Sequence, residues 1–168
     1  MKKIILALAL MGSFLSADSV AQVGLGYSQG ANDEDMVTGF AGINLISNFG
    51  ARLEYTKNFS EHPEFSKDDI SRYGIFATYT LPLISGLSLT PKVGYTQTDG
   101  EFTLKNTGEK ISKEDSKLTY GLEANYQFTQ NLSLFVGYTD YGNEMDIKNI
   151  DTDKMKNENY SFGLKLDI

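Results

Sequence analysis

The stretch LTYGLEANYQFTQNLSLFVGYTDYG, residues 118–142, decides the fold, because apolar and polar residues alternate along it. The apolar or aromatic series comprises Tyr120, Leu122, Ala124, Tyr126 and Phe128, and then Leu132, Leu134, Val136 and Tyr138. The residues between them are mostly polar or small. A period of two residues is typical of β-strands, which turn successive side chains to opposite faces. The stretch therefore predicts a β-hairpin with one apolar face and one polar face.

The same period recurs along nearly the whole chain beyond residue 20 and predicts eight strands. They cover residues 20–29, 36–46, 51–59, 70–82, 87–98, 116–128, 132–141 and 160–168. Short connections rich in Asn, Gly and Ser, at residues 47–50, 83–86 and 129–131, alternate with longer polar ones. Transmembrane barrels have short turns at one end and long loops at the other. The predicted fold is therefore all-β, an eight-stranded antiparallel up-and-down transmembrane β-barrel.

The apolar series is predicted to face lipid. In the other strands it comprises Val23, Leu25, Tyr27, Val37, Ala41, Ile43, Leu45, Leu53, Tyr55, Tyr73, Ile75, Ala77, Tyr79, Leu81, Leu87, Leu89, Val93, Tyr95, Tyr160, Phe162, Leu164, Leu166 and Ile168. The polar members Lys57, Gln97 and Asp140 fall at long-loop ends of strands, where a charge meets the least hydrocarbon. Tyrosines crowd this series, and many lie near strand ends, as in the aromatic girdles of membrane barrels.

The second series decides between two barrels of opposite sidedness. A soluble, exported, lipocalin-like barrel would turn the apolar series inward around a ligand, and alternation alone allows it. The second series is rich in glycine, at positions 24, 26, 42, 74, 94, 121, 137 and 163. Glycines on a solvent-facing surface would weaken strands, whereas in a narrow lumen they make room for larger residues opposite. The series therefore favours the membrane barrel, and the soluble barrel stays the alternative.

Charged residues of the second series predict a lumenal charge network. Its members are Arg52, Glu54, Arg72, Lys92 and Glu123. Lys92 and Glu123 lie at similar height on neighbouring strands and are predicted to approach each other within about 8 Å, a distance at which charges still interact strongly in a poorly solvated interior. Eight strands enclose a lumen that side chains fill, and Phe40, Phe76 and Phe135 would help to block it. The network is predicted to be a stabilising plug, with a gating role as the alternative.

Pro91 lies inside the fifth predicted strand. A closed barrel has no free edge on which a missing N–H would be harmless. The proline therefore predicts a bulge or a shifted register at this point.

The first residues predict export. Lys2 and Lys3 precede an apolar run, residues 4–10, and residues 1–21 are predicted to be a signal peptide cleaved after Ala21 or, alternatively, Ala17. Residues 22–168 form the predicted barrel domain, and none of them belongs to an apolar run of the roughly 18 residues that a spanning helix needs. The net charge of −7 without a Lys/Arg stripe excludes nucleic acid as a partner.

The last strand, SFGLKLDI, carries the C-terminal signal that bacterial outer-membrane barrels share. Ser161, Gly163, Leu166 and Ile168 match its polar, glycine, hydrophobic and terminal hydrophobic positions, although most family members end on Phe. With the signal peptide and the strand count, the chain resembles the small OmpA-type and OmpX-type barrels over essentially its whole mature length. The resemblance implies insertion by the barrel-assembly machinery, contact with outer-membrane lipid and lipopolysaccharide, and no peptidoglycan-binding domain after the barrel.

Few residues suit catalysis or metal binding. The chain has no Cys and one His, His62, beside Ser60 in a predicted loop, so the only enzyme hypothesis is a small outer-membrane hydrolase that uses His62. Asp151 and Asp153 resemble the start of a calcium loop, but Lys156 stands where such a loop needs Gly. We predict no catalytic residues, no cofactor and no metal site.

Function is predicted to lie in the long loops. In the loop at residues 99–115, apolar residues and lysines alternate, so its two arms are predicted either to extend the hairpin and offer a strand edge to a host or envelope protein, or to shield the barrel top. The sequence thus predicts a surface structural or interaction protein of a Gram-negative outer membrane, with an adhesion, envelope-integrity or serum-resistance role.

Overall fold

The computed structural model describes residues 21–30, 34–59, 65–104, 110–142 and 158–168. The predicted signal peptide up to residue 20, His62 and the Asp151–Asp153 segment lie outside the described residues. Among the described residues, no helix is long and apolar enough to cross a membrane.

The described chain forms one closed antiparallel barrel. Its strands are β1 (Ala21–Gly30), β2 (Asp35–Ile46), β3 (Phe49–Asn58), β4 (Phe65–Tyr79), β5 (Leu81–Pro82), β6 (Leu87–Leu104), β7 (Lys110–Gln127), β8 (Leu132–Asp140) and β9 (Glu158–Asp167). Each pairs with its sequence neighbours, β4 also pairs with β6, and β1 pairs with β9 to close the sheet. Because β4 and the short β5 together form one barrel strand, the barrel has eight strands, and the predicted fold class is confirmed.

Pro91 accounts for the division between β4 and β5. The β4–β6 ladder ends at Thr78 opposite Lys92, and the β5–β6 ladder resumes with Leu81 opposite Leu89 in the same register. Pro91 lies between these pairs and has no N–H to donate, so the ladder is interrupted there. On its other side Pro91 pairs with Leu122 without a register shift. The predicted bulge or shifted register is therefore wrong.

Three strands are longer than predicted at the long-loop end. β4 begins at Phe65, β6 ends at Leu104 and β7 begins at Lys110, where the sequence predicted 70, 98 and 116. The backbone ladders continue to Phe65 opposite Leu104 and to Thr103 opposite Lys110. These arms interrupt the apolar series with charged residues, so the hydrophobic alternation fades although strand pairing does not.

The sidedness of the strands is as predicted. Leu25 and Tyr95 of the apolar series are each 64% exposed, whereas Phe76 is 2% exposed. Tyr141, the tyrosine of the inner series, is also buried. Ile43 departs from the pattern because it is only 5% exposed, and it lies beside the register shift between Asn44 and Ile46. The apolar surface thus faces outward and the polar series faces the lumen.

Glycines make room for the lumenal phenylalanines. A Cβ atom on Gly24 would lie 2.2 Å from Cζ of Phe40, and one on Gly74 would lie 2.3 Å from Cε2 of Phe76. Both rings are buried. The glycine-rich second series therefore packs against large inner residues, as the sequence predicted.

Gly94 offers a test of this close packing. A Cβ atom there would lie 1.9 Å from the backbone oxygen of Ile75, so the β4 and β6 backbones would have to separate. We expect Gly94→Ala to lower the free energy of unfolding by about 1–3 kcal/mol, the usual cost of overpacking. At Gly39 the nearest atom is 3.8 Å away, so Gly39→Ala is the matched control and is expected to be neutral or slightly stabilising. Urea titration in lipid vesicles measures both, and equal losses would contradict the steric explanation.

Candidate functional site

A cluster of buried charges lies at the centre of the lumen. Arg52 on β3 is 1% exposed and donates from Nη1 to Glu123 on β7 at 2.7 Å and from Nη2 to the other carboxylate oxygen at 3.3 Å. The same guanidinium lies 3.4 Å from Glu54 and donates to Gln22 at 3.2 Å. This fork-to-carboxylate geometry is the strongest ion-pair arrangement that proteins use. It connects β3 to β7 across the barrel.

Lys92 completes the cluster from β6. Its Nζ lies 2.7 Å from each carboxylate oxygen of Glu54. The structure therefore brings together Arg52, Glu54, Lys92 and Glu123, with Lys92 bonded to Glu54 rather than to Glu123. Two cations face two carboxylates, so the central charges balance.

Arg72, the fifth residue of the predicted network, lies apart from the other four in its contacts. Its Nη1 donates to the sulfur of Met36 at 2.9 Å, and its guanidinium lies over the ring of Tyr141 at 4.8 Å. Met36 is fully buried and also accepts a bond from Asn159 at 3.8 Å. This second group packs on β2, β4 and β9 with the residue after β8.

Aromatic rings fill the space beside the central charges. The Arg52 guanidinium lies 4.0 Å from the centroid of the Phe40 ring, and Lys92 Nζ lies 4.9 Å from that of Phe76. Phe135 packs edge-on against Phe40 at 5.5 Å. Among the described residues, the space between Glu54, Arg72 and Phe76 has no room for a water molecule. The described interior is a packed core, which fits the small diameter of an eight-stranded barrel.

The polar partners of this core were not identified from the sequence. Hydroxyls of Ser28, Thr38 and Thr56 form a chain with O–O distances of 2.6 and 2.8 Å, and Asn125 donates to Thr90 at 3.2 Å. Their inward parity follows from the alternation. Their pairing depends on the three-dimensional stagger of the strands, which alternation does not encode.

The described residues contain no cluster suited to metal binding. No group of three or more His, Cys, Asp or Glu residues among them converges on one point. The buried carboxylates Glu54 and Glu123 are already bound to cations. The chemistry that the central cluster supports is therefore charge pairing between strands.

The C-terminal signal residues lie on the closing strand. Ala21 and Ile168 exchange backbone hydrogen bonds of 3.1 and 2.7 Å, and these join the two ends of the barrel. A Cβ atom on Gly163 would lie 2.2 Å from the backbone oxygen of Leu25, so the β1–β9 seam requires glycine there. Leu166 and Ile168 are exposed on the outer surface, and Ser161 is half-buried on the lumenal side.

A three-stranded extension stands at the long-loop end. It consists of residues 65–70 of β4, 99–104 of β6 and 110–119 of β7. Pairing of β7 with β8 begins at Tyr120 opposite Asp140, so within the described chain residues 110–119 have a strand partner on the β6 side only. The predicted extension of the hairpin is confirmed, and it has a β7 edge.

Comparison with known families and structures follows from this geometry. A family model described as "Outer membrane protein beta-barrel domain" matches residues 4–167. No curated protein sequence matches the chain.

Three solved structures illustrate the shared fold. The N-terminal β-barrel domain of Pseudomonas aeruginosa OprF superposes with a TM-score of 0.67 at 14% identity, covering 90% of this chain and 98% of that one. Ail, the attachment invasion locus protein of Yersinia pestis, gives 0.59 at 15% identity, with coverages of 89% and 97%. Neisserial surface protein A gives 0.56 at 15% identity, with coverages of 88% and 94%. At these identities the similarity is one of fold.

Proposed function

The chain belongs to the outer membrane protein beta-barrel domain family, and from that premise we propose that it is an exported integral barrel of a Gram-negative outer membrane and a non-enzymatic surface interaction protein. Adhesion, envelope integrity and serum resistance are the roles that this proposal covers. Its long-loop end carries the interaction, and its lumen serves as a structural core.

The observation that carries the membrane assignment is the sidedness of the barrel. Apolar side chains such as Leu25, Ile75 and Tyr95 are exposed outside, and charged residues such as Arg52 are buried inside. A lipocalin-like ligand barrel requires the reverse arrangement, so the soluble alternative is wrong for this interior. A continuous apolar band of this kind requires a hydrocarbon solvent.

Aromatic residues mark both edges of the band. Near the long loops Tyr55 packs on Tyr73 and Tyr138 packs on Tyr160, with centroid distances of 4.9 and 5.3 Å. Near the short turns Phe49 packs on Tyr79 at 4.5 Å. Rings that combine an apolar body with a polar tip suit the headgroup region, which supports contact with lipid and lipopolysaccharide.

Membrane fractionation tests the location. We expect the full chain, expressed in a Gram-negative host, to fractionate with the outer membrane, and its electrophoretic mobility to change on boiling because the unboiled barrel stays folded. Recovery in the soluble periplasmic fraction would overturn the membrane proposal.

The three-stranded extension supports the interaction part of the proposal. An unpaired strand edge is a template for a strand of another chain. The β7 edge begins at the level of the tyrosine belt, where Tyr120 donates to Asp140 at 2.6 Å, and continues away from the barrel. A structurally similar protein, Ail, has attachment and invasion in its name. We therefore assign partner binding, to a host or envelope protein, to this edge.

A shortened hairpin tests this assignment. Replacing residues 100–113 by Asn-Gly leaves Asp99 opposite Glu114 as the closing pair and removes the outer part of the β6 and β7 arms. We expect the variant barrel to keep its heat-modifiable mobility but to lose cell adhesion or detergent resistance relative to a strain that expresses the full chain. A variant that complements a deletion strain fully would contradict a binding role for the extension.

Assembly by the barrel machinery is proposed to depend on the last residue. Ile168 is 68% exposed although its backbone closes the barrel, so its side chain is available to an assembly factor. We expect Ile168→Asp to insert several-fold more slowly into vesicles that contain the purified machinery. Asp167→Asn, one residue away on the opposite side of β9, is the control and is expected to insert normally. Equal rates for both variants would remove Ile168 from the signal.

A further inference from the structure

A polar vestibule opens at the short-turn end of the barrel, away from the extension. Its volume is about 510 Å³, and polar side chains including Gln22, Asn44, Ser88 and Ser133 line it. Leu83 and Ile84, in the turn between β5 and β6, form an apolar lip and are 50% and 74% exposed. A cavity of this size accommodates a small molecule or the end of a peptide chain.

Lys165 lies in the wall of the vestibule. It is only 8% exposed, and it pairs through its backbone with Gly24 on β1 and with Ser133 on β8. Its ammonium group makes no hydrogen bond or ion pair with any described residue, unlike Lys92, which is bound to Glu54. A buried ammonium without a partner is costly, so the site has an unmet demand for an acceptor. The nearest compensating charge that influences it electrostatically, Glu123, already binds Arg52 at 2.7 Å.

The charges of the vestibule favour a monoanion whose negative end enters first. Lys165 supplies one positive charge, which suits a carboxylate. Asp167 lines the same vestibule two residues nearer the end of β9 and makes no ion pair with Lys165 in the described structure. Its carboxylate opposes an anion that carries further negative charge near the mouth. Amide and hydroxyl groups of the wall match the peptide groups that would follow a terminal carboxylate.

We propose that this vestibule binds the C-terminal carboxylate of a peptide chain that enters from the short-turn end, with Lys165 as its cationic partner. Gln22 and Ser133 offer polar groups to the same end of the peptide, and the Leu83–Ile84 lip contacts its apolar side chains. Capture of a chain terminus by a few convergent polar groups is a recurring mode of peptide recognition. The site is independent of the proposed function, because it lies at the opposite end of the barrel from the extension.

Titration with a matched pair of peptides tests the proposal. The ¹⁵N-labelled chain, folded in neutral maltoside micelles, is titrated with trialanine and with trialanine amide, which lacks the carboxylate. We expect saturable shifts of the backbone amides of Gly24, Ser133 and Lys165 with the acid, and binding about tenfold or more weaker with the amide, the usual effect of losing one charge-assisted hydrogen bond. Equal binding of acid and amide would overturn the proposal.

Variants identify the cation. Lys165→Met is expected to weaken trialanine binding about tenfold or more, whereas Lys165→Arg retains it because the charge remains. Lys57→Met, at the other end of the barrel, is the control and should leave binding unchanged. Heat-modifiable mobility checks that each variant is folded, and if the Met variant does not fold, the acid and amide comparison on the wild type decides alone. Unchanged binding by folded Lys165→Met, or tighter binding of dihexanoylphosphatidylglycerol than of trialanine at these amides, would overturn the proposal.

Discussion

Replacing Arg52 by Met is expected to lower the free energy of unfolding of the barrel by about 3–5 kcal/mol, the cost of leaving a buried charge without its partner. Arg52 and Glu123 have side chains that are 1% and 4% exposed, and their contact is 2.7 Å. Without the guanidinium, Glu123 keeps only longer-range attraction to Lys92 and Lys165. Glu54 keeps Lys92 at 2.7 Å, so the loss falls mainly on Glu123.

A double variant separates the pair from its parts. Arg52→Met combined with Glu123→Gln removes both charges, and we expect it to recover most of the stability that Arg52→Met loses, because a neutral interior of similar volume has no unpaired ion. Urea titrations in lipid vesicles measure all three proteins. The chain has no tryptophan, so gel mobility without boiling reports the folded fraction. Additive losses in the double variant would show that Arg52 acts by packing alone.

An ion pair outside the lumen provides the control. Lys57 and Asp69 lie 3.4 Å apart with side chains 49% and 37% exposed. Water and headgroups screen such a pair, so Lys57→Met is expected to cost no more than about 1 kcal/mol. A similar loss at both sites would mean that burial does not determine the strength of these pairs.

The alternation of residues was sufficient to predict most of the fold. A side-chain period of two fixes which face each residue occupies, so Phe76 inside and Tyr95 outside followed directly from parity. Turn residues fixed the order of the strands. Ser47, Ser85 and Gly86 have positive φ in the two short turns that the sequence placed at residues 47–50 and 83–86. The ends of β4, β6 and β7 were missed, because backbone pairing continues there without apolar residues to mark it.

The partners within the lumen were beyond the reach of the same reasoning. Arg52 and Glu123 are separated by 71 positions in the chain, and they meet because the closed barrel staggers its strands. Similar height on neighbouring strands suggested Lys92 with Glu123, but the side chains cross the lumen, where Glu54 on β3 offers Lys92 both carboxylate oxygens. Lys165 was recognised as an inner residue, whereas its lack of a partner is visible only in three dimensions.

The effect of a charge on the apolar band tests the membrane assignment energetically. Ile75 is 59% exposed and lies midway between Tyr73 and Tyr79 on β4, so its side chain is expected near the bilayer midplane. A lipid-facing Arg costs roughly 2–4 kcal/mol at that depth, because hydrocarbon does not solvate the guanidinium. We therefore expect Ile75→Arg to lower the free energy of unfolding in vesicles by about that amount.

Gln97→Arg is the matched control, since it places the same side chain on the same outer face near the long loops. Gln97 donates to Glu114 at 2.5 Å, so carboxylates and headgroup water surround the position. A charge at the interface costs about 0–1 kcal/mol, and the difference between the two variants isolates depth in the bilayer from the loss of side-chain packing. In a soluble barrel Arg at an exposed position is nearly neutral, so equal stabilities of the two variants would contradict a hydrocarbon environment around Ile75. Repeating both titrations in bilayers with shorter acyl chains should reduce the cost at Ile75 and leave that at Gln97 unchanged, because a thinner bilayer brings Ile75 closer to water.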